Sequence, residues 1–119
     1  MTRAFITGIT GMVGSHLADY LLENTNWEIV GFTRWNDDLN NINHLLPRIN
    51  NADRISLIYG DLNDFASLVP AIKKSNPSYV FHLAAQSLVR KSYEDPVLTF
   101  ETNTLGTLNL LDCLRDQPS

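Results

Sequence analysis

The chain has 119 residues, a formal net charge of −4 and 44% hydrophobic residues, a size and composition typical of one soluble globular domain. This acidic balance, with no cluster of basic residues, argues against a nucleic-acid or anionic-membrane surface. No apolar run approaches the ~20 residues of a transmembrane helix and no secretory signal is evident, so we expect a cytoplasmic protein.

Strand-like and helix-like stretches alternate along the first half of the chain. Residues 4–7 form a short apolar run that ends at a glycine, and Glu28–Thr33 forms a second, so both are predicted strands. Between them, residues 12–23 have apolar side chains at helical spacing and a mostly polar opposite face. In the asparagine-rich stretch that follows, we expect only a short helix over 40–46, closed by Pro47.

The second half of the chain continues the alternation. Ile55–Tyr59 and Tyr79–His82 are predicted strands. Asp64 is expected to cap the helix between them, and Pro70 to kink that helix or to delay its first regular turn. A long helix is predicted over 96–115, because an Asp-Pro pair makes a favourable start and leucines follow at helical spacing.

This alternation predicts an α/β fold, with a Rossmann-like parallel sheet and helices on both faces. The expected strand order is 3-2-1-4, the arrangement of a dinucleotide-binding fold. Residues 1–119 are accordingly expected to form the N-terminal part of such a domain, without a substrate lobe. Since the chain stops directly after a helix, where another strand would normally follow, we expect the domain to be truncated after its fourth strand–helix unit.

A glycine-rich turn between the first predicted strand and helix is the sharpest motif, with the spacing G-x-x-G-x-x-G. Gly8 would permit a tight turn, Gly11 a close approach of the backbone to a pyrophosphate, and Gly14 close packing of the helix on the sheet. The N–H groups and positive dipole end of the helix would face the phosphates. No lysine follows, so the motif is not a P-loop; the alternative is a plain strand–turn–helix whose glycines only ease the bend.

The residues after the second predicted strand bear on which dinucleotide is bound. NAD-binding domains usually carry a carboxylate about 20 residues past the glycines. Arg34 and Trp35 stand there instead, and Asp37 and Asp38 come a few residues too late. The Arg34 guanidinium could pair with a 2′-phosphate, which favours NADP over NAD, and either Arg34 or Trp35 could stack on adenine. The alternative is that Arg34 is a solvated surface charge and Trp35 part of a helix contact.

No metal site is predicted. The three histidines, His16, His44 and His82, have no metal-ligand spacing, and the single cysteine excludes a disulfide and a cysteine-based metal cluster. At the end of a predicted strand, His82 is expected to be a satisfied core residue rather than an acid or a ligand.

Taken together, these segments resemble the extended short-chain dehydrogenase/reductases, and among them the GDP-mannose 4,6-dehydratase family of sugar-nucleotide enzymes. The similar segments, which cover nearly the whole chain, are FITGITGMVGSHLADYLLE, GFTRW, HLLPRI, YGDLND, VFHLAAQSLVRKSYEDP and TNTLGTLNLLD. The resemblance implies an NADP-dependent dehydratase (a lyase) that oxidises C4 of a hexose, loses water across C5–C6 and returns the hydride to C6. A related reductase or 4-epimerase, or a non-catalytic dinucleotide-binding domain, stays open as an alternative.

The resemblance also implies roles for individual residues. Asp61 would accept a hydrogen bond from the adenine amino group, and Leu62 would back the ring. Ser87 would lie near the nicotinamide or the sugar, and Asn103 would brace the active site. The full predicted cofactor-binding set is Gly8, Thr10, Gly11, Met12, Val13, Gly14, Arg34, Asp61, Leu62, Leu83, Ala84, Ala85 and Ser87.

The catalytic Tyr-x-x-x-Lys pair of the family that the chain resembles does not occur in this sequence. We therefore expect the parent protein to be an enzyme and this chain alone to be inactive. The resemblance further implies a nucleotide-sugar substrate for the full-length protein. It also implies a homo-oligomer, dimer or tetramer, since such proteins often pair through the long helix predicted over 96–115.

Overall fold

The computed structural model describes residues 2–84 and 105–115, which contain four strands and five helical segments. The strands are β1 (Arg3–Thr7), β2 (Glu28–Thr33), β3 (Ile55–Tyr59) and β4 (Tyr79–His82). The helices are α1 (Met12–Asn24), α2 (Leu46–Asn50), α3 (Phe65–Ser75) and α4 (Gly106–Leu114), and a 3-10 helix spans Asn40–Leu45. In this part of the chain, no helix is long and apolar enough to cross a membrane. The first half of the predicted long helix lies outside the described residues.

The four strands form one parallel sheet in the order β3-β2-β1-β4, which confirms the predicted Rossmann-like order. On β1, Phe5 lies between Val30 of β2 and Val80 of β4. The chain therefore builds outward from β1 to β3 and then returns to the other side of β1. In open sheets of this kind, ligands bind beyond the carboxyl ends of the strands, at the point where the strand order reverses.

Alternating side chains of the central strands pack into two hydrophobic cores, one on each face of the sheet. Ala4 and Ile6 of β1 join the core that is closed by α1 and the 3-10 helix, whereas Phe5 joins the core that is closed by α3 and α4. Because successive strand residues point to opposite faces, a strand that is buried on both sides needs an unbroken apolar run. The prediction of helices on both faces is thus confirmed.

Proline placement corrects two of the helix predictions. Pro47 does not close a helix; it lies in the first turn of α2, where a missing N–H group leaves no helical bond unmade. Of the two effects predicted for Pro70, the delay is wrong, because α3 begins at Phe65 and continues through the proline, while the kink stays a prediction. The carbonyl that Pro70 leaves without its helical donor belongs to Ala66, which is exposed, so water can satisfy it. The predicted cap is confirmed, since Asp64 accepts a hydrogen bond from the Ala66 N–H at 3.1 Å.

A side-chain network joins the ends of β1 and β4 to α4. The Thr7 hydroxyl oxygen lies 2.7 Å from Nδ1 of His82, whose Nε2 lies 2.8 Å from the Thr107 hydroxyl. The same Thr7 oxygen accepts the N–H groups of Leu83 at 3.0 Å and Ala84 at 3.2 Å. Since these two bonds use both of its lone pairs, its proton must be donated to Nδ1. His82 is therefore neutral and donates from Nε2 to Thr107, which makes it the satisfied structural histidine that was predicted, although it is only partly buried.

Burial lowers the pKa of His82, so at mildly acidic pH the unfolded chain binds more protons than the folded protein. We predict that the free energy of unfolding decreases as the pH falls below about 6.5, the ordinary pKa of histidine. Urea unfolding at a series of pH values measures this dependence. The change in the free energy of unfolding with pH should be smaller in His82→Gln and should be retained in the exposed control His16→Gln. An unchanged slope in His82→Gln would contradict the assignment.

Candidate functional site

A cleft of about 390 Å³ opens at the carboxyl edge of the sheet, where the segments after all four strands meet. It lies at the reversal point between β1 and β4, and its volume is within the range of small-molecule and cofactor sites. The residues that line it are Gly8, Thr10, Gly11, Met12, Val13, Gly14, Phe32, Thr33, Arg34, Asp37, Gly60, Asp61, Leu62, Leu83 and Ala84.

Every described member of the predicted cofactor-binding set lines this one cleft. Ala85 and Ser87 of that set, and Asn103, lie outside the described residues. Within residues 2–84 and 105–115, no group of His, Cys, Asp and Glu side chains is arranged to hold a metal ion. The structure adds four lining residues that were not in the predicted cofactor-binding set, namely Phe32, Thr33, Asp37 and Gly60.

The three glycines of the turn differ in what their surroundings require. Gly8 has φ +76, and a Cβ atom there would lie 2.7 Å from the Ala84 backbone nitrogen. A Cβ at Gly14 would lie 2.1 Å from the Gly8 carbonyl oxygen, so the group that excludes a side chain at Gly14 belongs to the turn rather than to the sheet. At Gly11 the one neighbour within van der Waals range is the same oxygen, at 3.3 Å. Packing thus explains why residues 8 and 14 are glycines, whereas at Gly11 the surroundings would leave nearly enough room for a Cβ atom.

The first turn of α1 presents free backbone donors to the cleft. Gly11 is the N-cap, no side chain caps the helix, and the first turn contains no acidic residue. The Ser15 N–H donates to the Gly11 carbonyl at 3.0 Å, so the N–H groups of Met12, Val13 and Gly14 precede the first helical bond. These donors lie at the positive end of the helix dipole, an arrangement that favours anions.

Asp61 presents a carboxylate to the cleft from the end of β3. One of its oxygens, Oδ1, accepts the Asn63 N–H at 2.9 Å, and its own N–H donates to the Ser67 hydroxyl at 3.1 Å. No described residue donates to the other oxygen. The neighbouring Leu62 is buried, and its carbonyl accepts a hydrogen bond from the Asn109 side chain at 2.8 Å. The segment is therefore held from α4 while one acceptor of Asp61 stays available.

The end of β2 carries an ion pair between Arg34 and Asp37. Oδ2 of Asp37 accepts the Thr33 hydroxyl at 2.7 Å and the Arg34 backbone N–H at 3.0 Å. Oδ1 accepts Nε of Arg34 at 3.1 Å and lies 3.0 Å from Nη2. Burial opposes ionisation of Asp37, but the Thr33 hydroxyl, the Arg34 N–H and the guanidinium outweigh it and hold the pKa of Asp37 below its ordinary value.

Asp37 lines the cleft although it comes a few residues later than the carboxylate that usually holds the ribose. Counting residues assumes an extended chain, whereas here the Asp37 N–H donates to the Arg34 carbonyl at 3.2 Å and the turn folds back onto β2. Asp38 is exposed and accepts hydrogen bonds only from Asn40 among the described residues. The available signal was Thr33, a hydroxyl at a strand end four residues before a carboxylate.

Trp35 lies beside the cleft rather than in its lining. Its ring stacks on that of Tyr59 with a centroid separation of 4.2 Å, and the residue is 80% exposed. This aromatic contact is made with a strand, because Tyr59 is the last residue of β3.

Solved structures with the same fold include two epimerases. The UDP-glucose 4-epimerase of Thermotoga maritima, solved with UDP-glucose, superposes with a TM-score of 0.82 at 26% identity over 98% of this chain and 35% of its own. The UDP-glucose 4-epimerase of Thermus thermophilus, solved in complex with NAD, gives a TM-score of 0.75 at 32% identity over 98% of this chain and 34% of its own.

Curated relatives are more similar in sequence. The GDP-mannose 4,6 dehydratase of Drosophila melanogaster is 40% identical over 94% of this chain and 29% of its own length. The corresponding human protein is 39% identical over 94% of this chain and 31% of its own length. This chain thus spans about a third of the length of either relative. The family model described as GDP-mannose 4,6 dehydratase matches residues 5–119. The chain therefore belongs to the GDP-mannose 4,6 dehydratase family.

Proposed function

We propose that residues 1–119 are the dinucleotide-binding part of an NADP-dependent sugar-nucleotide 4,6-dehydratase, and that the protein acts in the cytoplasm. The observation that carries this proposal is the cleft, in which residues predicted from four separate segments meet at the reversal point of a parallel sheet. Membership of the GDP-mannose 4,6 dehydratase family supports the substrate class, a nucleotide sugar.

Each part of the cleft suits one part of the cofactor. The N–H groups at the start of α1 would bind the pyrophosphate, and Gly11 leaves the space that a Cβ atom would fill. The free oxygen of Asp61 would accept the adenine amino group. Arg34 would meet the 2′-phosphate. Leu83, with the residue that follows it, would line the central part of the cofactor.

The bound nicotinamide cofactor supplies reversible hydride transfer. The residues of this chain bind and orient the cofactor and help to exclude water from one side of it. The Thr7 hydroxyl, which contacts His82 and accepts the Leu83 N–H, fixes the backbone at the β4 end of the cleft. The sequence contains no Tyr-x-x-x-Lys pair for proton transfer, so we propose binding without turnover for the chain by itself.

A second candidate is the dinucleotide-binding part of a sugar-nucleotide 4-epimerase. The superposition on UDP-glucose 4-epimerases favours it, whereas the family match favours the dehydratase. Either enzyme would need the same cleft. We also propose a homo-oligomer, because α4 and the residue before it expose the leucines Leu105, Leu108 and Leu111.

The first prediction from this proposal concerns cofactor choice. Calorimetric titration of the purified chain should show tighter binding of NADP(H) than of NAD(H). Arg34→Ala should weaken NADP(H) binding about tenfold or more, since one charged hydrogen-bonding partner is lost, and should leave NAD(H) binding nearly unchanged. Arg48→Ala, which removes an arginine paired with Asp53 outside the cleft, is the control. Equal loss for both dinucleotides would contradict the role of Arg34.

A second prediction separates the two roles of glycine in the turn. Gly11→Ala should weaken binding of NADP(H) and NAD(H) alike, while changing the free energy of unfolding by less than about 1 kcal/mol. Gly14→Ala should destabilise the fold by about 2 kcal/mol or more, because its Cβ would overlap a backbone carbonyl. Chemical denaturation and calorimetry measure the two effects. Unimpaired binding by Gly11→Ala would show that this glycine does not face a ligand.

A further inference from the structure

The described lining of the cleft holds one cationic side chain and two acidic ones. Arg34 is the cation, and Asp37 and Asp61 are the acids. A cofactor 2′-phosphate carries a charge of about −1.5 to −2, whereas the 2′-hydroxyl of NAD is neutral. The negative charge of Asp37, next to Arg34, therefore affects the binding of NADP much more than the binding of NAD.

The Asp37 carboxylate is fully engaged by the protein. It accepts from the Thr33 hydroxyl, from the Arg34 backbone N–H, and from Nε and Nη2 of Arg34. A carboxylate has about four acceptor positions, so these donors use all of them. Asp37 cannot accept the ribose hydroxyl of NAD without losing one of these bonds. It differs in this respect from the carboxylate at the second strand end of typical NAD-binding domains, which holds the ribose.

The same contacts reduce the number of Arg34 donors that are available to bind a phosphate. The edge of the guanidinium formed by Nε and Nη2 faces Asp37, which leaves only the edge that includes Nη1 for a bidentate contact. The charge of Arg34 is also offset by a carboxylate at 3.0 Å. A 2′-phosphate that approaches the end of β2 thus meets a neutral pair instead of an isolated cation.

We infer that Asp37 is a specificity-determining residue: its carboxylate occupies one edge of Arg34 and repels the 2′-phosphate, and thereby limits the preference for NADP over NAD. This inference rests on the proposed function, in which the cleft binds a nicotinamide dinucleotide with its 2′ position at Arg34. Asp37 acts on the cofactor through charge and through Arg34, and it takes no part in hydride or proton transfer.

The test compares NADP+ and NAD+ binding by calorimetry in the wild-type chain and in Asp37→Asn. Asparagine keeps an oxygen acceptor for Thr33 and for the Arg34 N–H, so the turn is retained while the charge is removed. We expect NADP+ to bind about five- to tenfold more tightly and NAD+ to change by less than about twofold. Raising the salt concentration should shrink the gain, because the repulsion is screened.

Two further variants keep the test decisive. Asp38→Asn removes an equal charge from the adjacent exposed position and should leave both affinities unchanged. Asp37→Ser supplies a second neutral side chain at the same position, with thermal unfolding as a check on its fold, and should also favour NADP+.

The outcomes separate this inference from the proposed function. An unchanged or weakened affinity for NADP+ in both Asp37 variants, with wild-type binding intact, overturns the role of Asp37 and leaves the proposed function standing. An equal gain for NAD+, or an equal gain in Asp38→Asn, overturns it as well, because the effect would then not depend on the 2′-phosphate or on this position. Failure of the wild-type chain to bind either dinucleotide removes the proposed function and this inference with it.

Discussion

The contact between the Gly8 carbonyl and the backbone of Gly14 is the constraint on which the rest of the site depends. A side chain at residue 14 would have its Cβ atom 2.1 Å from that carbonyl oxygen, so only glycine lets the first turn of α1 close against the end of β1. This contact fixes where the helix begins and therefore where its unpaired N–H groups point. Backbone packing at the turn sets where α1 begins, and the buried side chains Ala18, Leu21 and Leu22 hold the helix on the sheet.

The opposite side of the cleft depends on the same strand end. Gly8 packs against the backbone of Ala84, and the Thr7 hydroxyl binds the two N–H groups that follow β4. Because Thr7 also donates to His82, the tautomer of that ring and its bond to Thr107 of α4 follow from the chemistry of one hydroxyl. The end of β1 is thus the common reference for the glycine turn, for the segment after β4 and for α4.

Most of the fold could be predicted from the sequence, because its signals are local and agree with one another. Apolar runs that are buried on both faces mark β1 and β2, and the glycine spacing marks the turn between β1 and α1. The predictions that were wrong depended on geometry that spacing does not contain. Pro47 is compatible with both the end and the start of a helix.

The candidate site also has parts that the sequence predicts and parts that it does not. The segments after the strands could be placed at one edge, since the carboxyl ends of parallel strands meet there. Asp37 could not be placed, because its position depends on a turn that folds the chain back onto Thr33. The free oxygen of Asp61 likewise depends on which donors surround it, and a sequence does not contain that information.

We propose that the cleft at the carboxyl edge of the sheet binds a nicotinamide dinucleotide through the glycine turn. Amide chemical-shift mapping by NMR during titration with NADP+ tests it most directly, because each backbone N–H reports its own surroundings. We expect the largest chemical-shift changes at Gly11–Gly14, Arg34 and Asp61, on one edge of the sheet. Changes confined to the opposite edge, around Arg3 and Arg54, or none at the glycine turn under saturating cofactor, would contradict it.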